Sequence, residues 1–193
     1  MPLSTIDATP ALLVVDLQKG VTARPETKPV LDNATALAAA FRAHGFPVVL
    51  VTVDGGAPGR TDARQARGGR ASRQRPADWA ELAPELDHQP TDLRIVKQRW
   101  GAFTGTDLDE RLRERGVTQV IVTGIATSIG VESTARSAHE LGYHVVLATD
   151  AVADSTADAH RNSIERIFPR LGETATTTEI LTAFQALPEQ PGV

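Results

Sequence analysis

Two opposite charges stand at the ends of apolar runs in this chain, and they are the residues best placed to do chemistry. Asp16 follows Ala11–Val15, and Lys97 closes the run Leu93–Lys97. A carboxyl group and an ammonium group held together away from bulk water can store, give and take a proton. Each acts on the other: burial raises a carboxyl pKa and a neighbouring ammonium lowers it, and the sequence leaves that balance open. A third segment, Gly124-Ile125-Ala126-Thr127-Ser128-Ile129-Gly130, follows another apolar run and leads into a helical pattern. Backbone N–H groups around Ile129 and Gly130, at the mouth of a helix, are suited to receive a carboxylate. The chain contains no cysteine, which excludes disulfides, thiolate metal sites and a thiol nucleophile together. Ser128 is the substitute nucleophile, but no histidine is placed by the pattern to activate it.

The elements that must position these groups alternate regularly. Strand-length apolar runs occur at Ala11–Val15, Val48–Val53, Leu93–Lys97, Val120–Thr123 and Val145–Ala148, with a weaker sixth at 173–177. Their near-continuous β-branched character indicates strands covered on both faces, as in parallel sheets. Between them, Val30, Leu31, Ala34, Leu37, Ala38 and Phe41 form one apolar stripe at helical spacing. Further helices are expected over 107–115, 131–141, 157–168 and 178–187, with stops at Gly116, Gly142 and Pro169. Such alternation implies right-handed βαβ crossovers and an α/β fold, a three-layer α/β/α open sheet of about six strands, mostly parallel. Ligands bind such sheets at the carboxyl ends of the strands. Read there, the strands deliver Asp16 and Gln18, then Asp54, Lys97 to Trp100, Gly124 to Gly130, and Asp150. Asp54 and Asp150 read as turn or cap residues.

The quoted motifs resemble those of a known family. Val14-Val15-Asp16-Leu17-Gln18 resembles the first catalytic motif of the isochorismatase-like hydrolases. Lys97-Gln98-Arg99-Trp100-Gly101-Ala102-Phe103 is similar to the second, and Gly124 to Gly130, continuing Val-Glu-Ser-Thr-Ala, to the third. The likeness runs in order from about residue 10 to residue 182 and implies a Rossmann-like isochorismatase fold with Asp16, Lys97 and Gly130 as catalytic positions. Gly130 stands where amidase members of the family carry the nucleophilic cysteine, so a thioester intermediate is closed to this chain. Isochorismatases proper carry glycine there, and their lysine is followed by Arg-aromatic-small-Ala-Phe, the pattern of Arg99 to Phe103. The resemblance therefore implies hydrolysis of an enol ether of a small carboxylate, such as isochorismate, with release of pyruvate. The alternatives are hydrolysis of another small molecule by the same Asp-Lys pair, or a catalytically silent member that binds a carboxylate. It also implies a cis Ile125–Ala126 peptide and a homo-oligomer, dimer or tetramer. Gln18, Arg99, Trp100, Phe103, Ile125, Ala126 and Ile129 are the expected substrate contacts.

Plainer roles compete at each position. Asp16 is also a good turn former, Lys97 a solvated strand end, and Gly130 a tight helix start. Trp100 and Phe103 are equally core or interface residues, and Arg99 a structural pair. The histidine-rich motif of the family's metal-binding members is missing after the second strand, where Val53-Asp54-Gly55-Gly56 stands, so neither metal nor cofactor is expected. The 193 residues read as a single domain with a net charge of −4, which does not favour nucleic acid. The N-terminal run is too short for a signal peptide or membrane span, and the default location is the cytoplasm. Residues 54–76, with six arginines between Arg60 and Arg75, read as a flexible insertion loop, and 188–193 as a frayed tail.

Overall fold

The computed structural model describes residues 2–55 and 75–185. The arginine-rich loop, apart from its ends, and the C-terminal tail lie outside the described residues. Six strands form one sheet: β1 (Pro10–Val15), β2 (Val48–Val53), β3 (Leu93–Lys97), β4 (Gln119–Ile125), β5 (His144–Ala153) and β6 (Glu173–Ala175). Every pairing is parallel and the order is β3-β2-β1-β4-β5-β6. The chain leaves β1 toward one edge and returns at β4 to build the other half. The carboxyl ends of β1 and β4 therefore flank the point where the winding reverses, the place such sheets reserve for ligands.

The helices are α1 (Lys19–Thr22), α2 (Lys28–Ala43), α3 (Leu108–Arg113), α4 (Glu132–Glu140), α5 (Ala157–Asn162), α6 (Phe168–Leu171) and α7 (Thr177–Gln185). The predicted stripe of α2 is buried to its last member, Phe41, whose ring meets Phe184 of α7 edge-on with centroids 4.8 Å apart. These two helices cover Leu12, Val14, Leu50, Ile121 and Val146 on one face of the sheet. The opposite face, with Leu13, Val15, Val122 and Leu147, packs on Leu108 and Leu112 of α3, Ala135 and Ala138 of α4, and Phe168 and Leu171 of α6. Three layers result, each sheet face sealed by its own apolar cluster.

The structure corrects the sequence reading in two places. β5 does not end before Asp150. Its pairing with β4 shifts register between Val122 and Gly124, and the strand continues to Ala153. Asp150, read as a turn or cap residue, accepts hydrogen bonds from the Thr177 N–H and hydroxyl, at 2.7 and 2.8 Å, and so caps α7. The helix expected to stop at Pro169 runs on to Leu171. A wider turn, Ser163–Ile167, precedes it, and Pro169 enters as the second residue of the next helical segment, where no backbone donor is required.

Candidate active site

Asp16 is the first residue beyond β1. Its φ of 55° lies in the left-handed region, which a short polar side chain tolerates at a cost of roughly 1–2 kcal/mol. The turn is fixed by the Asp16 N–H, which donates to the Val51 carbonyl at 2.9 Å. Burial along β3 alternates, because it is an edge strand with one covered face: Leu93, Ile95 and Lys97 point inward while Arg94 and Val96 are exposed. Strands two places apart are separated by roughly 10 Å, a gap the lysine stem spans across β2. Its Nζ lies 2.8 Å from Asp16 Oδ2 and donates to the Trp100 carbonyl at 2.7 Å. Lys97 is 2 % exposed and Asp16 6 %.

The two carboxylate oxygens differ. Oδ2 takes the ammonium, whereas Oδ1 is buried without a hydrogen-bond partner among the described residues. Burial pushes the Asp16 carboxyl up to about 6, and the charge and hydrogen bond of Lys97 only partly offset it. The balance left open by the sequence thus falls on the side of a protonatable acid.

Gly130 faces this carboxyl. A Cβ built there would lie 3.2 Å from Asp16 Oδ2, 3.2 Å from Val15 Cγ1 and 3.4 Å from the Ile125 carbonyl. Gly130 closes a wide helical turn, Thr127–Val131, that precedes α4. The Ile125–Ala126 peptide is cis, and the Ala126 carbonyl accepts from the Ile129 and Val131 N–H groups. Thr134 ties this turn to the lysine segment: its hydroxyl donates to the Gly130 carbonyl at 2.7 Å and accepts from the Ala102 N–H at 3.0 Å. Underneath, β4 meets β1 at Gly124, where φ is 119° and a Cβ would stand 2.0 Å from the Val15 carbonyl oxygen.

Asp16, Lys97, Gly130, Ile125 and Ala126 therefore converge. The other expected contacts are distributed differently. Gln18 is fully buried, and its amide binds the Val53 backbone N–H and the carbonyls of Val53 and Trp79, which leaves both its amide hydrogens spent on backbone. Phe103 packs into the core with its ring 5.8 Å from that of Tyr143. Trp100 contributes its carbonyl to Lys97 while its side chain is 60 % exposed. Arg99 is half-buried and makes a long contact with the Gln98 carbonyl, and the Ile129 side chain is exposed.

A cleft of about 430 Å³ opens beside the cis peptide, lined among others by Gly20, Val21, Arg24, Ala126 and Asp154. The sequence reading missed Arg24 and Asp154. Asp154 went unseen because β5 was ended too early, and Arg24 because its turn follows no motif. Two of the larger hollows, of about 510 and 540 Å³, lie at the amino ends of the strands. Their buried charges are paired, as Arg42 is with Asp92, and we place the chemistry at the strand end that holds the unpaired carboxyl oxygen. Among the described residues no group of three or more His, Cys, Asp or Glu side chains gathers to hold a metal ion, and no helix is long and apolar enough to cross a membrane.

Comparisons with known proteins identify the family. The model of the Isochorismatase domain matches residues 10–179. The chain belongs to the isochorismatase family. An isochorismatase family protein of Bacillus subtilis (strain 168), YwoC, is 45% identical over 176 residues, covering 89% of this chain and 92% of that protein. The structure of an isochorismatase family protein from Burkholderia thailandensis superposes with a TM-score of 0.85 at 40% identity, over 94% of this chain and 98% of the other. The ureidoacrylate amidohydrolase RutB of Klebsiella pneumoniae is 32% identical over 169 residues, 73% of this chain and 72% of its own. The protein is thus an isochorismatase-family hydrolase with glycine at the position facing the Asp-Lys pair.

Proposed function

We propose that this isochorismatase-family member hydrolyses an enol ether of a small carboxylate, such as isochorismate, without a thiol and without a metal. The observation that carries the reading is Asp16: a buried carboxyl raised to about 6, with one oxygen held by Lys97 and the other unpartnered. An ammonium on Oδ2 directs the proton to Oδ1. Near neutral pH roughly a tenth of such a group is protonated, enough for general acid catalysis.

Protonated Asp16 gives its proton to the terminal methylene carbon of the enol ether. The C=C electron pair forms the new C–H bond and leaves an oxocarbenium ion. Lys97 stabilises the carboxylate left on Asp16. Water adds to the cationic carbon and returns a proton to Asp16. The hemiketal hydroxyl then loses its proton and forms the C=O of pyruvate as the C–O bond to the other oxygen breaks, and that oxygen takes up a proton and departs as the alcohol. Gly130 leaves room beside the carboxyl where amidase relatives would carry sulfur. Arg24, on the rim of the cleft, offers a partner to a substrate carboxylate.

Pyruvate release from isochorismate, followed through a coupled lactate dehydrogenase assay, tests the reading. Turnover is expected in the wild type and its loss in Asp16→Asn. No pyruvate from the folded wild-type protein would overturn the substrate assignment.

A further inference from the structure

The turn that carries Gly130 is clasped from outside the Asp-Lys pair. Asp154, just past the end of β5, uses one oxygen, Oδ2, to accept both the Ser128 N–H at 2.8 Å and the Ser128 hydroxyl at 2.7 Å. Its other oxygen accepts the Thr156 N–H at 3.2 Å. One residue earlier in the same turn, the buried Thr127 hydroxyl meets His160 Nδ1 of α5 at 2.9 Å. The clasp thus seizes the turn two residues before Gly130, which faces the Asp16 carboxyl: a Cβ built there would stand 3.2 Å from Oδ2.

From this geometry we infer that Asp154 is a positioning residue for Asp16: it holds the Thr127–Val131 turn down over the Asp16 carboxyl and keeps water from it. The inference rests on the proposed role of Asp16 as proton donor, but its physical content does not depend on the substrate. Backbone packed against a carboxyl removes solvent from it, and loss of solvent is what favours the protonated form. A turn released from Asp154 lets water reach the acid. Asp154 is itself held below the usual carboxylate range by the hydrogen bonds it accepts, against the opposing effect of its partial burial, so it stays ionised while Asp16 titrates. The charged groups around the two acids are few. Lys97 faces Asp16 from β3, Arg24 and Glu26 share the cleft with Asp154, and His160 stands behind Thr127.

The test is an NMR titration of the Asp16 side-chain carboxyl carbon in the full-length protein, read without substrate. The wild-type midpoint is expected near 6. In Asp154→Ala it is expected to fall by about one pH unit or more, toward the value of an ordinary carboxyl. Removing a nearby negative charge would also lower it, so Asp154→Asn separates the causes. Asparagine keeps an acceptor oxygen for Ser128 and loses the charge, and its midpoint is expected to fall clearly less than that of Asp154→Ala. Ser128→Ala keeps the charge and loses one hydrogen bond, and is expected to move the midpoint in the same direction as Asp154→Ala by a smaller amount. Should Asp154→Ala not fold, Ser128→Ala decides alone. An unmoved midpoint in the folded loss-of-clasp variants, or equal shifts in Asp154→Asn and Asp154→Ala, would overturn the inference. Absence of turnover with isochorismate would sink the proposed reaction and leave this titration intact.

Discussion

Two ion pairs are drawn into this molecule, one at each end of the sheet, and they are built to opposite rules. At the amino end Arg42 grips Asp92 in a fork: Nε donates to Oδ1 at 3.0 Å and a terminal nitrogen to Oδ2 at 2.7 Å. The Gln89 N–H adds a third bond to Oδ2 at 2.7 Å, and the Asp92 side chain is 1 % exposed. Every lone-pair direction the fold can reach has a donor. At the carboxyl end Lys97 touches one oxygen of Asp16 as a point charge and leaves the other bare. Arginine's planar fork engages both oxygens of a carboxylate, whereas a lysine meets it as a point charge. Both carboxyl side chains are largely buried, yet one arrangement ties a loop to a helix and the other belongs to the proposed proton donor. The observed difference is hydrogen-bonding capacity: one oxygen of Asp16 is bare, whereas both oxygens of Asp92 have donors.

This contrast is most sharply broken by exchanging the acids for amides. Asp16→Asn is expected to lower kcat by 10²–10⁴-fold, since the general acid is gone. Asp92→Asn should leave kcat within about twofold and instead reduce stability by roughly 3 kcal/mol, because it strands a partly buried guanidinium. Steady-state kinetics and urea melts on both variants decide this. If Asp92→Asn abolished turnover in a folded protein, the division of roles would be wrong.

A smaller effect is expected from the lysine. The proposed acid works only while protonated, so wild-type activity should fall as pH rises through about 6. Lys97 opposes the upward push of burial, and Lys97→Met should therefore move that limb to higher pH while reducing the maximal rate. A limb that moves down would contradict the assignment.

Stability carries the same signature. The folded-state pKa of Asp16 lies above the ordinary carboxyl value of 3.8, so its contribution is fully present below about pH 4 and is lost as pH rises through about 6. The slope in that window is at most about 1.4 kcal/mol per pH unit for one proton. Asp16→Asn should erase this component from a series of melts at stepped pH. Asp92→Asn should leave it in place.

The mildest test acts at Gly130. Gly130→Cys places the only thiol of the chain within reach of the Asp-Lys pair. One equivalent of iodoacetamide should react per chain. The enol ether activity should drop, because the new Cβ meets three neighbours at 3.2–3.4 Å.

Much of this was legible in the residues. The runs before Asp16 and through Lys97 were readable as strands that deliver both residues at their carboxyl ends, whereas all the strands were expected to be covered on both faces and β3 proves to be an edge strand with one. The stripe on α2 was readable to its last member. What stayed hidden was long-range. The register shift that carries β5 on to Ala153 depends on its pairing with β4, and without it Asp154 had no visible purpose. Gln18 sits inside a motif, and only the distant carbonyls of Val53 and Trp79 show that its amide is committed to backbone. Pro169 looked like a stop because a wide turn of the preceding helix leaves no local mark. The bare Oδ1 of Asp16 is a missing partner, which no spacing of residues can display.

Gly124 has a consequence for how the protein can change over time. The β1 and β4 backbones touch so closely there that any side chain would have to occupy the space of the Val15 carbonyl oxygen. Those two strands carry Asp16 and the Gly130 turn directly above the contact. A library of all substitutions at this codon should return glycine alone among active clones, although the position bears no functional group. The seam between the two halves of the fold acts as a ruler for the reaction, and its gauge is set by the absence of a single methyl group.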